Sequence, residues 1–142
     1  MLEKIFDEEE LLGLIVRDRY TSAGVTFFTD DDATQQVAFM KHPAGKEILP
    51  HVHNSVKREV FFTSEVLIMK SGILRVDFYS SSKVYLQSRT LYAGDVILLA
   101  GGGHGFFVIE EIEMIEVKQG PYLGEMDKVR FSAVDVTNIN LK

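Results

Sequence analysis

Short runs of β-branched and aromatic residues, broken by Gly, Asn, Asp or Ser clusters at intervals of roughly eight to twelve residues, constrain this chain most. No alternation of strands with helical patterns appears. The clearest run is Ile73 to Tyr79, where Leu74, Val76 and Phe78 alternate with Arg75, Asp77 and Tyr79, as in a sheet with one face on a core. Ser80 to Lys83 reads as the following turn, and Val84 to Thr90 as the return strand. Ala93-Gly94-Asp95 turns the chain into Val96 to Leu99, a run apolar on both faces and therefore expected at the centre of a sheet. Glu65 to Ser71 is an apolar run closed by a glycine turn at Gly72, and Phe106 to Ile109 with Ile112 to Val117 form a pair around Glu110-Glu111. In the last of these the apolar parity switches, which suggests a bulge or a strand covered on both sides. Upstream strands are expected at Leu11 to Arg17, Gly24 to Thr29 and Gln35 to Lys41, and Glu8 to Glu10 as a solvated stretch that can start a short N-terminal helix or strand extension. About ten short strands point to an all-β sandwich or barrel.

Composition removes several classes of function. With 142 residues the chain is read as one domain, 1–142, able to bury about 68–70% of its unfolded surface without staples. Cysteine is absent, so no disulfide forms. No basic start precedes an apolar stretch, and no apolar run approaches the length of a membrane span, so a cytoplasmic address is expected. Fifteen Lys and Arg against 21 Asp and Glu give a net charge of −6 without a basic stripe, which argues against a nucleic-acid partner.

Three of the four histidines carry the chemistry. Alternation along a strand would place His51 and His53 on one face, roughly 6–7 Å apart, where one cation fits between the rings. A mononuclear site needs further donors, and Glu65 and His104 open and close the next apolar runs. His42, beside Pro43, is read as an ordinary surface histidine. Gly101-Gly102-Gly103 is read as a tight turn presenting His104 rather than a phosphate cradle, because a strand and not a helix follows. Asp30-Asp31-Asp32 lacks calcium-loop spacing and reads as a solvated turn.

These residues resemble the two motifs of the cupin superfamily. In the first, Gly45 is followed after five residues by His51-Val52-His53, and Glu65 after six by Gly72. In the second, Gly94 leads through Val96 to Leu99 and the glycines to His104; Ala100 stands where the family has proline, His104 arrives one residue early, and the closing asparagine is absent. Between His53 and Glu65 lie Asn54 to Ser64, longer than the family's tight connection, so Glu59 competes with Glu65 for the carboxylate position. The Lys57 and Arg58 beside Glu59 favour a solvated ion pair there. The resemblance covers about residues 36–118 and implies a double-stranded β-helix, the cupin jelly roll.

It also implies a metal site of His51, His53, Glu65 and His104 holding one divalent transition metal, and imidazole with carboxylate suits Zn, Fe, Ni or Mn. Two open positions on an octahedral ion would leave room for a small polar or anionic organic ligand, with oxygenase, isomerase or lyase chemistry, if there is turnover. A non-catalytic carbohydrate-related binding or accessory role, or that of a sugar-nucleotide isomerase-like cupin, is the alternative. Phe39, Phe62, Phe78, Phe106 and Phe107 are available to line the pocket, with Gln36, Lys41, Arg75 and Tyr79 as polar groups. A homodimer is expected, with Leu11 to Val16 as the strand that pairs with a second copy.

Overall fold

Leu67 and Met69 occupy odd positions and Leu74, Val76 and Phe78 even ones, yet all five side chains are buried in one cluster. Successive side chains on a strand alternate faces, so such a sequence keeps one face apolar only if the strand gains a residue in the middle. The computed structural model, which describes residues 1–142, shows that irregularity. Its strands are β1 (Leu2–Asp7), β2 (Glu10–Val16), β3 (Gly24–Phe27), β4 (Ala38–Lys41), β5 (Glu65–Tyr79), β6 (Tyr85–Tyr92), β7 (Val96–Leu99) and β8 (Gly103–Lys118). Two single-turn 3-10 segments follow at Gly124–Met126 and Val136–Asn138, and there is no α-helix. The chain divides into two compact units, one of residues 1–20 with 62–142 and one of residues 21–61.

The larger unit is a curled antiparallel sheet in the order β1-β2-β7-β5-β6, with β8 on the other edge of β5. Strand β5 pairs with β8 from Glu65↔Lys118 to Tyr79↔Gly103. Its opposite edge is shared, taking β7 at Glu65 to Ile68 and β6 at Ile73 to Tyr79. Pairing with β8 is irregular between Met69 and Leu74, and Gly72 adopts φ +80° there. Directly across, the turn between β6 and β7 is stitched to the same level: Gly94 N donates to the Met69 carbonyl and Met69 N to the Asp95 carbonyl. A Cβ on Gly72 would stand 2.0 Å from the Glu111 carbonyl oxygen, so the third strand crowds the bend as well.

Two expectations from the sequence are overturned by the strand bounds. Gly72 ends no strand, because the extra residues are absorbed as a bulge and β5 runs on through it. For the same reason Phe106 to Ile109 and Ile112 to Val117 are one strand, β8, bulged opposite β5 rather than turned at Glu110-Glu111. The acidic stretch Glu8 to Glu10 is exposed, as expected, and forms the turn of a hairpin in which Glu8, at φ 51°, leads from an unexpected first strand into β2. The expectation for Val96 to Leu99 holds, since β7 lies between β2 and β5 with Ile97 and Leu98 buried on its opposite faces.

Ionic groups and the C-terminal segment fix the curl. Arg17 donates to Glu3 Oε1 at 2.7 Å, to Asp95 Oδ2 at 2.8 Å and to the Thr90 carbonyl at 2.7 Å, tying β1 to the β6–β7 turn. Asp95, itself buried, also accepts from the amides of Asp18 and Tyr92. On the outer face of β5 and β6, the Tyr79 hydroxyl accepts from Val134 N and the Tyr85 hydroxyl from Asn140 N. The Phe131 ring meets the Tyr79 ring edge-on at 5.0 Å. Beneath this segment Asp77 accepts from Arg75 at 2.8 Å and from Ser88.

The smaller unit is the β3–β4 hairpin, registered from Gly24↔Lys41 to Phe27↔Ala38, followed by residues without regular structure. Gln36 braces the hairpin loop, accepting from Thr29 and donating to the Asp30 carbonyl, and Asp30 to Asp32 are exposed, as a solvated turn requires. His51 to His53 form no strand, against expectation. Pro43 and Pro50 each remove a backbone donor from this stretch, and His51 Nδ1 contacts the Leu49 carbonyl at 3.1 Å in place of ladder pairing. No helix in the chain is long and apolar enough to cross a membrane.

Two measurements check this account. Gly72→Ala combines positive φ with a backbone clash, and urea unfolding is expected to show a loss of about 2 kcal/mol or more. Burial on its own raises the Glu3 pKa, but the bonds and charges of Arg17 and Arg89 outweigh it and hold the carboxyl below 4.5. A lowered folded-state pKa gives stability that is present above pH 4.5 and is lost as the pH falls through the folded value. Glu3→Gln should therefore lower stability at neutral pH and flatten its decline on the acid side of pH 4.5, followed by thermal unfolding across pH.

Candidate functional site

Glu65 is the first residue of β5 and shares its parity with Leu67 and Met69, so its carboxylate stands on the core-facing side of the sheet. His104 lies near the start of β8, opposite Phe78, and so on the same side at the far end of β5. A straight strand of 15 residues spans about 50 Å. The curl nevertheless brings His104 Nε2 to 3.2 Å from Glu65 Oε2. The pair sits at the rim of the core, with side chains 30% and 15% exposed respectively.

The surroundings polarise this pair. The hydrogen bond from His104 lowers the Glu65 pKa and outweighs burial, which acts in the opposite direction; the charges of His104, Lys118 and Lys128 lower it further. Lys118, the cross-strand partner of Glu65, holds Nζ 3.9 Å from Glu65 Oε1 and 2.9 Å from Glu116. The ring of Phe106 lies 5.3 Å from that of His104. Gln119 accepts from Ser64 N at 2.6 Å and so anchors the chain where it enters β5.

In the smaller unit the structure brings the other two histidines together. The His51 and His53 rings lie 5.3 Å apart, edge to face, although no strand aligns them. Their proximity arises in a stretch without regular structure and not from strand alternation. Glu59 pairs with Lys57 at 2.9 Å in an exposed ion pair, the state expected for it. His42 is exposed. Within neither unit do three or more His, Asp or Glu side chains converge as a ligand set.

Ligand distances near 2.1 Å at right angles put neighbouring donors about 3 Å apart, close to the 3.2 Å between His104 and Glu65. Contact of His51 Nδ1 with a carbonyl leaves Nε2 as its free nitrogen, the arrangement usual for a ligating imidazole. The His104–Glu65 spacing therefore suits two adjacent positions on one ion.

Of the groups expected to line a pocket, most have other duties. Phe78 is core, Phe107 faces outward under the Arg75 guanidinium at 4.7 Å, and Phe62 is exposed. Arg75 binds Asp77, Tyr79 holds the C-terminal segment, Gln36 braces a loop and Lys41 donates to Thr21. Gly101 to Gly103 do form the turn that presents His104, with Gly102 at φ +58° where a Cβ would meet the Tyr79 carbonyl at 2.5 Å. Lys118 escaped the sequence reading, because its proximity to Glu65 depends on the β5–β8 register. No protein-family model, curated protein or solved structure matches this chain.

Proposed function

We propose that this chain is a small metal-binding protein of cupin type, in which His51, His53, Glu65 and His104 hold one divalent transition metal, Zn, Fe, Ni or Mn. The supporting observation is the Glu65–His104 pair, two residues singled out by motif spacing that the curl of β5 and β8 draws to 3.2 Å. His51 and His53, paired at 5.3 Å, supply the other two donors. The finer fold that goes with this reading is the double-stranded β-helix, for which the curled antiparallel sheet is a compatible framework.

The ion would supply Lewis acidity or redox chemistry to a small polar or anionic organic molecule held at its open positions. Glu65 keeps its charge through the neutral range, and Lys118 beside it offers a cation toward an anionic ligand. Phe106 provides an apolar wall next to His104. Oxygenase, isomerase and lyase reactions all fit such a site, as does carbohydrate-related binding without turnover.

A second reading draws on the same pair. A carboxylate bonded to an imidazole orients the ring, which is the arrangement of a general base. In that case Glu65 and His104 act without metal, as in sugar-nucleotide isomerase-like cupins, and His51 and His53 are bystanders.

Metal content separates the two. The purified protein should carry about one transition ion per chain, and chelation should lower its thermal midpoint because the ion binds only the folded state. Replacing both His51 and His53 by Ala should abolish the binding, and Glu65→Gln should weaken it by about tenfold or more, while Glu59→Gln changes it by no more than about twofold. Unchanged metal content in the double variant would overturn the first reading; no metal in the native protein, with activity lost in Glu65→Gln, would establish the second.

A further inference from the structure

Strand β8 is the weakest-protected edge of the larger unit. It pairs with β5 alone, so its other edge carries unpaired amides and carbonyls. Consecutive residues Phe106, Phe107, Val108 and Ile109 are 41%, 54%, 51% and 49% exposed. The other edges differ. Strand β1 carries Glu3, Lys4 and Asp7 and a register shift at Ile5/Phe6, both features that discourage further pairing. Strand β6 has its outer edge met by the C-terminal residues, since Ser88 N donates to the Asn140 carbonyl and Lys142 N to the Ser88 carbonyl. Strand β2, expected to pair with a second copy, is held between β1 and β7 and is not available.

We propose that the free edge of β8 at Gly105 to Ile109 pairs antiparallel with the same segment of a second copy, about a two-fold axis at Phe107. The charge pattern of the strand selects this occupant and this register. No carboxylate lies between Gly103 and Ile109, whereas Glu110, Glu111, Glu113 and Glu116 crowd the rest. Centring the axis on Phe107 sets Phe107 against Phe107, Phe106 against Val108 and Gly105 against Ile109, all uncharged pairs. Sliding the axis into the second half would stack glutamates directly opposite one another. The bulge that begins at Ile109 ends regular pairing with the Gly105 and Ile109 pair, which keeps the contact to this short segment about the two-fold axis.

Because the chain has no cysteine, one introduced thiol reports the register directly. Phe107→Cys places two thiols across the axis at a separation that a disulfide spans. Mild oxidation should give a covalent dimer at least about tenfold faster than in Val84→Cys, an exposed position just before β6, on the opposite edge of β5 from β8. By sedimentation, the native protein should be dimeric at concentrations on the order of 100 µM, and Phe107→Lys should raise the dissociation constant about a hundredfold or more by setting like charges at the axis. Phe107 is half exposed and outside the core, so both variants should retain the native far-UV spectrum. A monomeric native protein, a dimer unaffected by Phe107→Lys, or equal cross-linking through Val84→Cys would each overturn the proposal. None of these readouts depends on the metal.

Discussion

The bend shared by three strands is the constraint on which the larger unit depends. At one level, β5 gains one residue between Met69 and Ser71, β6 gives way to β7 through Gly94-Asp95, and β8 bulges between Val108 and Glu113. Two glycines at positive φ, Gly72 and Gly94, allow it: a side chain at the first would meet the Glu111 carbonyl, and at the second the Asp18 carboxylate. The bend lets Leu67 and Met69 pack in the same cluster as Leu74, Val76 and Phe78, so one ribbon supplies both sides of a core. Buried Asp95 secures the turn with three donors, and the paired charges of Arg17 offset its desolvation.

Chemistry follows from the same bend. A flat β5–β8 ribbon would hold Glu65 and His104 at opposite ends, each an isolated titratable group on a solvated sheet. Curling turns them into a hydrogen-bonded acid–base pair at the edge of an apolar core, where partial burial makes electrostatic effects larger than on an open surface. An ion pair at such a partly exposed position contributes little to stability, typically below about 1 kcal/mol.

Much of this was legible in the sequence, and the failures share one cause. The all-β class, the strand at Ile73 to Tyr79, the turn at Ser80 to Lys83, the central position of Val96 to Leu99 and the glycine turn before His104 all follow from local pattern, and the structure has them. Gly72 and Glu110-Glu111 were misread as strand ends because a bulge and a turn look alike in one dimension: both interrupt periodicity with glycine or charge. Only the pairing partner distinguishes them. His51 and His53 are adjacent for a reason other than the expected one, since Pro50 and the contact with the Leu49 carbonyl favour local structure over strand pairing. The Lys118 beside Glu65, the anchoring of the C-terminal segment by Tyr79 and Tyr85, and the free edge of β8 all depend on register across tens of residues, which composition and periodicity do not encode.

The proposal that His51, His53, Glu65 and His104 share one ion is tested most directly by X-ray absorption at the metal edge of the zinc-loaded protein. The account predicts nitrogen and oxygen neighbours at about 2.0–2.2 Å with outer-shell scattering from three imidazole rings, falling to two in His104→Ala. A zinc environment without imidazole scattering, or one unchanged in His104→Ala, would contradict it.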